Sequence, residues 1–135
     1  GYLSNTWPLM FGRFIPSGLL TTHEPWWENL YQSLGSQWIH RWLAFVVAGL
    51  VIAVFASARR DGASAPVSTA LSWLLGAVVV QITLGVYVVL LGVPKWFALA
   101  HQALGVIMFC MLLVVVHAAS ARAPSPQARL TRLSE

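Results

Sequence analysis

The sequence predicts an all-α integral membrane protein, a bundle of transmembrane helices behind an extracytoplasmic N-terminal segment. Three observations predict it. Of the 135 residues 58% are hydrophobic and only 9% charged, with a mean hydropathy of +0.71, where a soluble domain carries about 25% charged residues. Three long stretches then run without a formal charge: after Arg41 as far as Arg59, from Asp61 to Lys95, and from Lys95 to Arg122. Finally, tryptophan, tyrosine and proline are concentrated ahead of the first stretch, a composition that suits the headgroup layer of a bilayer.

Residues 1–36 hold Pro8, Pro16 and Pro25, four glycines, and the aromatics Trp7, Trp26, Trp27 and Tyr31. Prolines at this density exclude one long helix. A short helix over 25–33, with Pro25 in its first turn, Glu28 close by and Thr22 or His23 near its cap, fits the start signals. The segment is expected to lie over the bundle at the interface. Spans follow at 37–58, 67–92 and 96–119, and about 20 residues at 1.5 Å rise cross a hydrocarbon core of ~30 Å. Helices are required there, because lipid offers the backbone no hydrogen bonds. Gly49, Gly76, Gly85 and Gly105 offer points of close helix approach. The tail, 122–135, with Pro124, Pro126 and scattered arginines, is expected to be disordered and cytoplasmic.

Lys and Arg number 8 against 4 Asp and Glu, a net charge of +4. The basic residues lie between and after the apolar runs, so the excess indicates topology and not nucleic-acid binding. Arg59, Arg60 and the tail count as cytoplasmic; residues 1–36 and Lys95 count as outside. Cys110 has no partner in the chain, which excludes an intrachain disulfide. The chain opens at Gly1 with neither a basic start nor an apolar core, so no signal peptide is expected and the start reads as lying inside a loop.

Ionisable groups at membrane depth are site candidates by default. His40 is the fourth residue of the first span, and His101 is about the sixth of the third. The first and third spans run in the same direction, so both imidazoles lie about 5–8 Å below their helix starts. Two imidazoles at one depth on different helices can ligate one metal from opposite sides; in an apolar helical bundle the ion most often held by two histidines alone is haem iron. A closed zinc site would need further ligands, and none lies at that level. The alternative, two hydrogen-bonded interfacial histidines, stays open. His117, about 24 Å further along its helix than His101, cannot share that site, and His23 suits a turn. Arg41 either snorkels to the headgroups or pairs with a haem propionate. Gln37, one turn before His40, and Gln102, next to His101, either orient a ligand or sit at the interface. Gln81 and Thr83, mid-span, suit interhelical hydrogen bonds.

Asn5-Thr6-Trp7-Pro8-Leu9-Met10, Gly12-Arg13-Phe14-Ile15-Pro16, Pro25-Trp26-Trp27, Gln37-x-x-His40-Arg41, Leu91-Gly92-Val93-Pro94 and His101-Gln102 occur in this order. Together they resemble the C-terminal half of the haem A synthase family. That family is built from two related four-helix halves in the membrane and oxidises a methyl group of haem O to the formyl group of haem A for cytochrome oxidase. The resemblance implies a bacterial cell (inner) membrane location. It implies that His40 and His101 are axial ligands of a haem b used for electron transfer, with Gln37, Arg41 and Gln102 beside it. The family's catalytic half carries Glu-x-x-His-Arg where this chain has Gln37-x-x-His40-Arg41, so no catalytic residue is expected here: an amide cannot transfer a proton as a carboxylate can.

By the same resemblance this chain supplies three transmembrane helices of a four-helix bundle half, the fourth and the catalytic half preceding Tyr2. Haem O would be met through that other half, and the partners would be the lipid bilayer, haem O synthase and cytochrome oxidase assembly factors, with no nucleic acid. Two competing assignments are a non-enzymatic b-type haem protein or haem-handling assembly subunit, and a purely structural bundle without pigment.

Overall fold

A computed structural model describes residues 4–120; the expected disordered tail, with Arg122, Arg129 and Arg132, lies outside the described residues. Three helices carry the fold: α1 (Ser33–Arg60), α2 (Ala65–Leu90) and α3 (Lys95–Ser120). Each is long and apolar enough to cross a membrane. The protein is an all-helical membrane protein, as its composition requires.

Two of the helices match the expected spans within two residues at each end, but α1 begins four residues earlier than 37. Hydrophobicity marks where lipid begins, whereas a helix begins wherever backbone bonding can start. Nothing between Ser33 and Gln37 breaks a helix, and Gln32, extended at φ −71° and ψ 162°, is the residue at which the chain turns in. Gly35 is buried in that first turn, where a side chain would collide with the backbone of Asn29 and Leu30.

Tight turns join the helices. After Arg60 the chain reverses at Gly62, whose φ of +66° suits a residue without Cβ, and the Ala63 N–H closes back onto the Ala58 carbonyl at 2.8 Å. After Leu90 both Gly92 and Val93 have positive φ, and the Val93 N–H reaches the Val88 carbonyl at 2.8 Å. Pro94 then leads into α3. α2 is the middle helix, packed against both α1 and α3, while no Cα atoms of α1 and α3 come within 8 Å of each other. Its buried residues Leu71, Leu74 and Val78 recur at helical spacing. The opposite faces are apolar and open, with Leu50, Trp73, Val106 and Phe109 all more than 60% exposed. In water such faces would drive aggregation; in a bilayer they meet acyl chains.

Before α1 the segment folds into turns and one short 3-10 helix, Trp26–Tyr31, close to the expected 25–33. Asn29 organises it. Its side-chain Oδ1 accepts from the Thr22 and His23 N–H groups at 3.2 and 2.9 Å, and its Nδ2 donates to the His23 and Trp26 carbonyls, each at 2.8 Å. Thr22 and His23 are therefore held by Asn29 and do not cap the helix themselves. Replacing Asn29 by alanine removes these four part-buried hydrogen bonds, each contributing about 0.5–1.5 kcal/mol. Amide hydrogen exchange should show it, with faster exchange at Thr22 and His23 and unchanged exchange at the middle of α2.

Candidate functional site

Three polar residues near the start of α1, Gln37, His40 and Arg41, together with Ala44 follow the i, i+3, i+4, i+7 rule and face one side of the helix. That side borders an open cavity of about 790 Å³ lined by residues of α1 and α2, His101 of α3, and Trp7 and Tyr31 of the N-terminal segment. α2 completes the wall with Gln81 and Gly85, which lie four residues apart on one face.

Counted from the observed helix starts, His40 lies about 10 Å and His101 about 9 Å along their helices. Their rings meet across the gap left between α1 and α3, with centroids 6.0 Å apart and planes inclined at 75°. A metal held between two imidazole nitrogens at about 2.0 Å each would set ring centres about 6 Å apart. The centroid spacing thus equals that of two imidazoles sharing one ion, while both His101 nitrogens lie within 3.4 Å of Gln81 atoms. Among the described residues no group of three or more His, Cys, Asp or Glu could hold a metal, so a structural zinc site is not offered.

His101 is tied to α2. Its Nδ1 lies 3.1 Å from the Gln81 backbone oxygen. A carbonyl can only accept, so Nδ1 carries a proton, and in the neutral ring Nε2 then keeps its lone pair. The Gln81 amide nitrogen donates to the His101 backbone oxygen at 3.0 Å and stands 3.4 Å from His101 Nε2. The Gln81 Oε1 and the Gln37 Oε1 are buried without a partner, and both residues line the cavity. They are acceptors waiting for a donor.

Arg41 does not snorkel. It is 6% exposed, and its guanidinium turns into the N-terminal segment. Nη1 donates to the Thr6 and Leu9 carbonyls at 2.6 and 3.3 Å, and Nη2 donates to the Ser4 carbonyl at 3.0 Å. The carbonyls of a folded-back loop reach the guanidinium before headgroup water does. Its Nε is buried and unpartnered, in a residue that borders the cavity. Aromatic contacts fasten the same segment to α1: Trp38 donates to the Phe14 carbonyl at 2.7 Å, and the Phe14 and Trp42 rings lie 4.3 Å apart.

Gln102 is exposed and does not line the cavity; one residue beyond His101 on a helix is about 100° round from it. His117 is exposed, far along α3. Gln81 bonds across helices, whereas Thr83 bonds back to Val79 within α2 at 2.8 Å. The residues missed as site residues are Gln81, Gly85 and Trp7. Gln81 carried the strongest signal, a polar side chain in an apolar span; Gly85 was marked only as a point of close helix approach and Trp7 only as an interfacial aromatic and part of a motif.

Residues 1–113 match a family model described as a cytochrome oxidase assembly protein. The chain is 37% identical over 134 residues to a haem A synthase of Rhodopseudomonas palustris (strain BisA53), covering 98% of this chain and 37% of the relative. It is 39% identical over 118 residues to a haem A synthase of Nitrosospira multiformis, covering 87% and 33% respectively. It is 32% identical over 119 residues to one from Flavobacterium psychrophilum, covering 87% and 35%. The chain thus spans about a third of the length of the curated relatives it matches. No solved structure matches it.

Proposed function

This chain belongs to the haem A synthase family, and from that membership we propose that it forms the part of such an enzyme that holds a haem b between His40 and His101. The observation that carries the proposal is the 6.0 Å approach of these two rings from separate helices over a cavity lined mostly by apolar side chains. Bound there, haem iron would supply one-electron redox chemistry, serving the oxidation of the haem O methyl group to the formyl group of haem A.

The chain's own residues do the rest. His40 and His101 present imidazole nitrogens from two helices, and the Gln81 carbonyl keeps the His101 proton on Nδ1. Val86, Val89 and Leu43 keep water from the wall of the cavity. The free Nε–H of Arg41 is a charged donor suited to a propionate. Gln37 stands where a carboxylate would be needed for acid or base work, and an amide cannot take that role. Methyl oxidation, contact with haem O, and encounters with haem O synthase and cytochrome oxidase assembly factors are assigned to the rest of a longer protein. Arg59 and Arg60 set the orientation, with their end of the bundle in the bacterial cytoplasm and the histidine end outside. Family membership favours this reading over a non-enzymatic b-type carrier.

The test is the reduced-minus-oxidised visible spectrum of the detergent-purified protein. A sharp low-spin b-type signal is expected. A folded, helical sample with no haem would overturn the assignment.

A further inference from the structure

Around His101 two helices exchange the same contact in both directions. The His101 ring sits over Gly85 of α2 and hydrogen-bonds through Nδ1 to the backbone oxygen of Gln81, four residues earlier, at 3.1 Å. The Gln81 side chain sits against Gly105 of α3 and hydrogen-bonds through Nε2 to the backbone oxygen of His101, again four residues earlier, at 3.0 Å. Each polar side chain thus reaches a carbonyl of the neighbouring helix beside a glycine. Carbonyl oxygens have two lone pairs, so each accepts this bond in addition to its helical one.

The fit at Gly85 is close. A Cβ there would stand 3.0 Å from His101 Cε1 and 3.5 Å from Nδ1. Gly76, on the same helix, would meet nothing within 4 Å. Only one of these two glycines is needed for the ring to approach.

We propose that Gln81 and Gly85 are positioning residues: they clasp the His101 ring edge against α2 and fix its proton on Nδ1, which leaves Nε2, beside the Gln81 amide at 3.4 Å, as the nitrogen with a lone pair for a ligand. The purpose of the clasp rests on the haem assignment above. A metal-ligating histidine is commonly oriented through its second ring nitrogen, and removing such a partner lowers metal affinity about 10–100-fold. The partner here is a backbone carbonyl, so no substitution of the Gln81 side chain removes it. Gly85 controls access to it.

The test has a haem-free arm and a haem arm, both on the full-length protein labelled with 15N-histidine. In the haem-free protein, the His101 signals, identified by their loss in His101→Ala, should show a protonated Nδ1 and an unprotonated Nε2. Gly85→Ala should convert them to a mixture or to the Nε2-protonated form, and Gly76→Ala should leave them unchanged. Haem retention should fall about 10–100-fold in Gly85→Ala and not in Gly76→Ala. Should Gly85→Ala fail to fold, Gln81→Leu, which breaks the return bond to the His101 carbonyl, should lower haem retention while keeping the helical circular dichroism. An Nε2-protonated His101 in the parent protein, or signals that Gly85→Ala leaves unchanged, would overturn the clasp. A fixed Nδ1 proton in a protein that takes up no haem would support the clasp and overturn the haem assignment.

Discussion

Alanine at either His40 or His101 is expected to abolish the low-spin b-type spectrum, and alanine at His117 to leave it intact. On the proposed assignment both residues are needed, because haem iron held between His40 and His101 would lose one of its two protein ligands in either variant, and with it the low-spin spectrum. The loss should be nearly complete for both variants. Truncating His40 removes a side chain that is exposed and makes no hydrogen bond among the described residues, so the fold should survive. His101→Ala also cuts the bond to the Gln81 carbonyl, which costs about 0.5–1.5 kcal/mol, a modest change for a helix pair packed along its length. Helical circular dichroism therefore separates loss of ligation from loss of fold. Loss of the spectrum in His117→Ala alone would place the haem at the other end of the bundle.

The second large effect concerns Arg41. Its guanidinium gathers the carbonyls of Ser4, Thr6 and Leu9, and no other side chain among the described residues bonds the Ser4 carbonyl. Replacing it with methionine keeps the bulk and removes three hydrogen bonds from a charged donor. Such bonds contribute about 1.5–3 kcal/mol each, though they are not additive. A local destabilisation on the order of 3 kcal/mol corresponds to roughly 100-fold more frequent opening of the segment. Limited proteolysis should read it as faster cleavage between residues 4 and 16, with α2 and α3 protected as before. Lysine should restore only part of the protection, since its ammonium is a compact charge without the planar fork that spans separate carbonyls. Equal cleavage of the parent protein and Arg41→Met would show that the aromatic contacts of Phe14, Trp38 and Trp42 suffice to hold the segment. With the segment loosened, Trp7 also leaves the cavity wall, so haem retention should fall in the same variant.

The helices were legible because lipid imposes a simple rule: a charge-free run of about 20 residues has to be a helix. The ends were less so. Lipid ends where the apolar run ends, but α1 starts where Gln32 turns in and Gly35 lets the preceding segment pack close. The pairing of His40 with His101 was legible as well, since a constant rise per residue converts position in a helix into depth. The role of Arg41 was not. Its partners are backbone carbonyls, which every residue carries, and no pattern of side chains announces which loop will fold back onto it.

What the sequence determined by itself was the membrane, the three spans, the matched depth of two histidines and the family. What only the tertiary structure decided was direction: that His40 and His101 face one gap, that Gln102 faces out, and that His101 Nδ1 lies against the Gln81 carbonyl. Depth follows from counting along one helix, but rotation about its axis is set by the packing of neighbours. There the absence of a single Cβ at Gly85 decides how closely the His101 ring can approach.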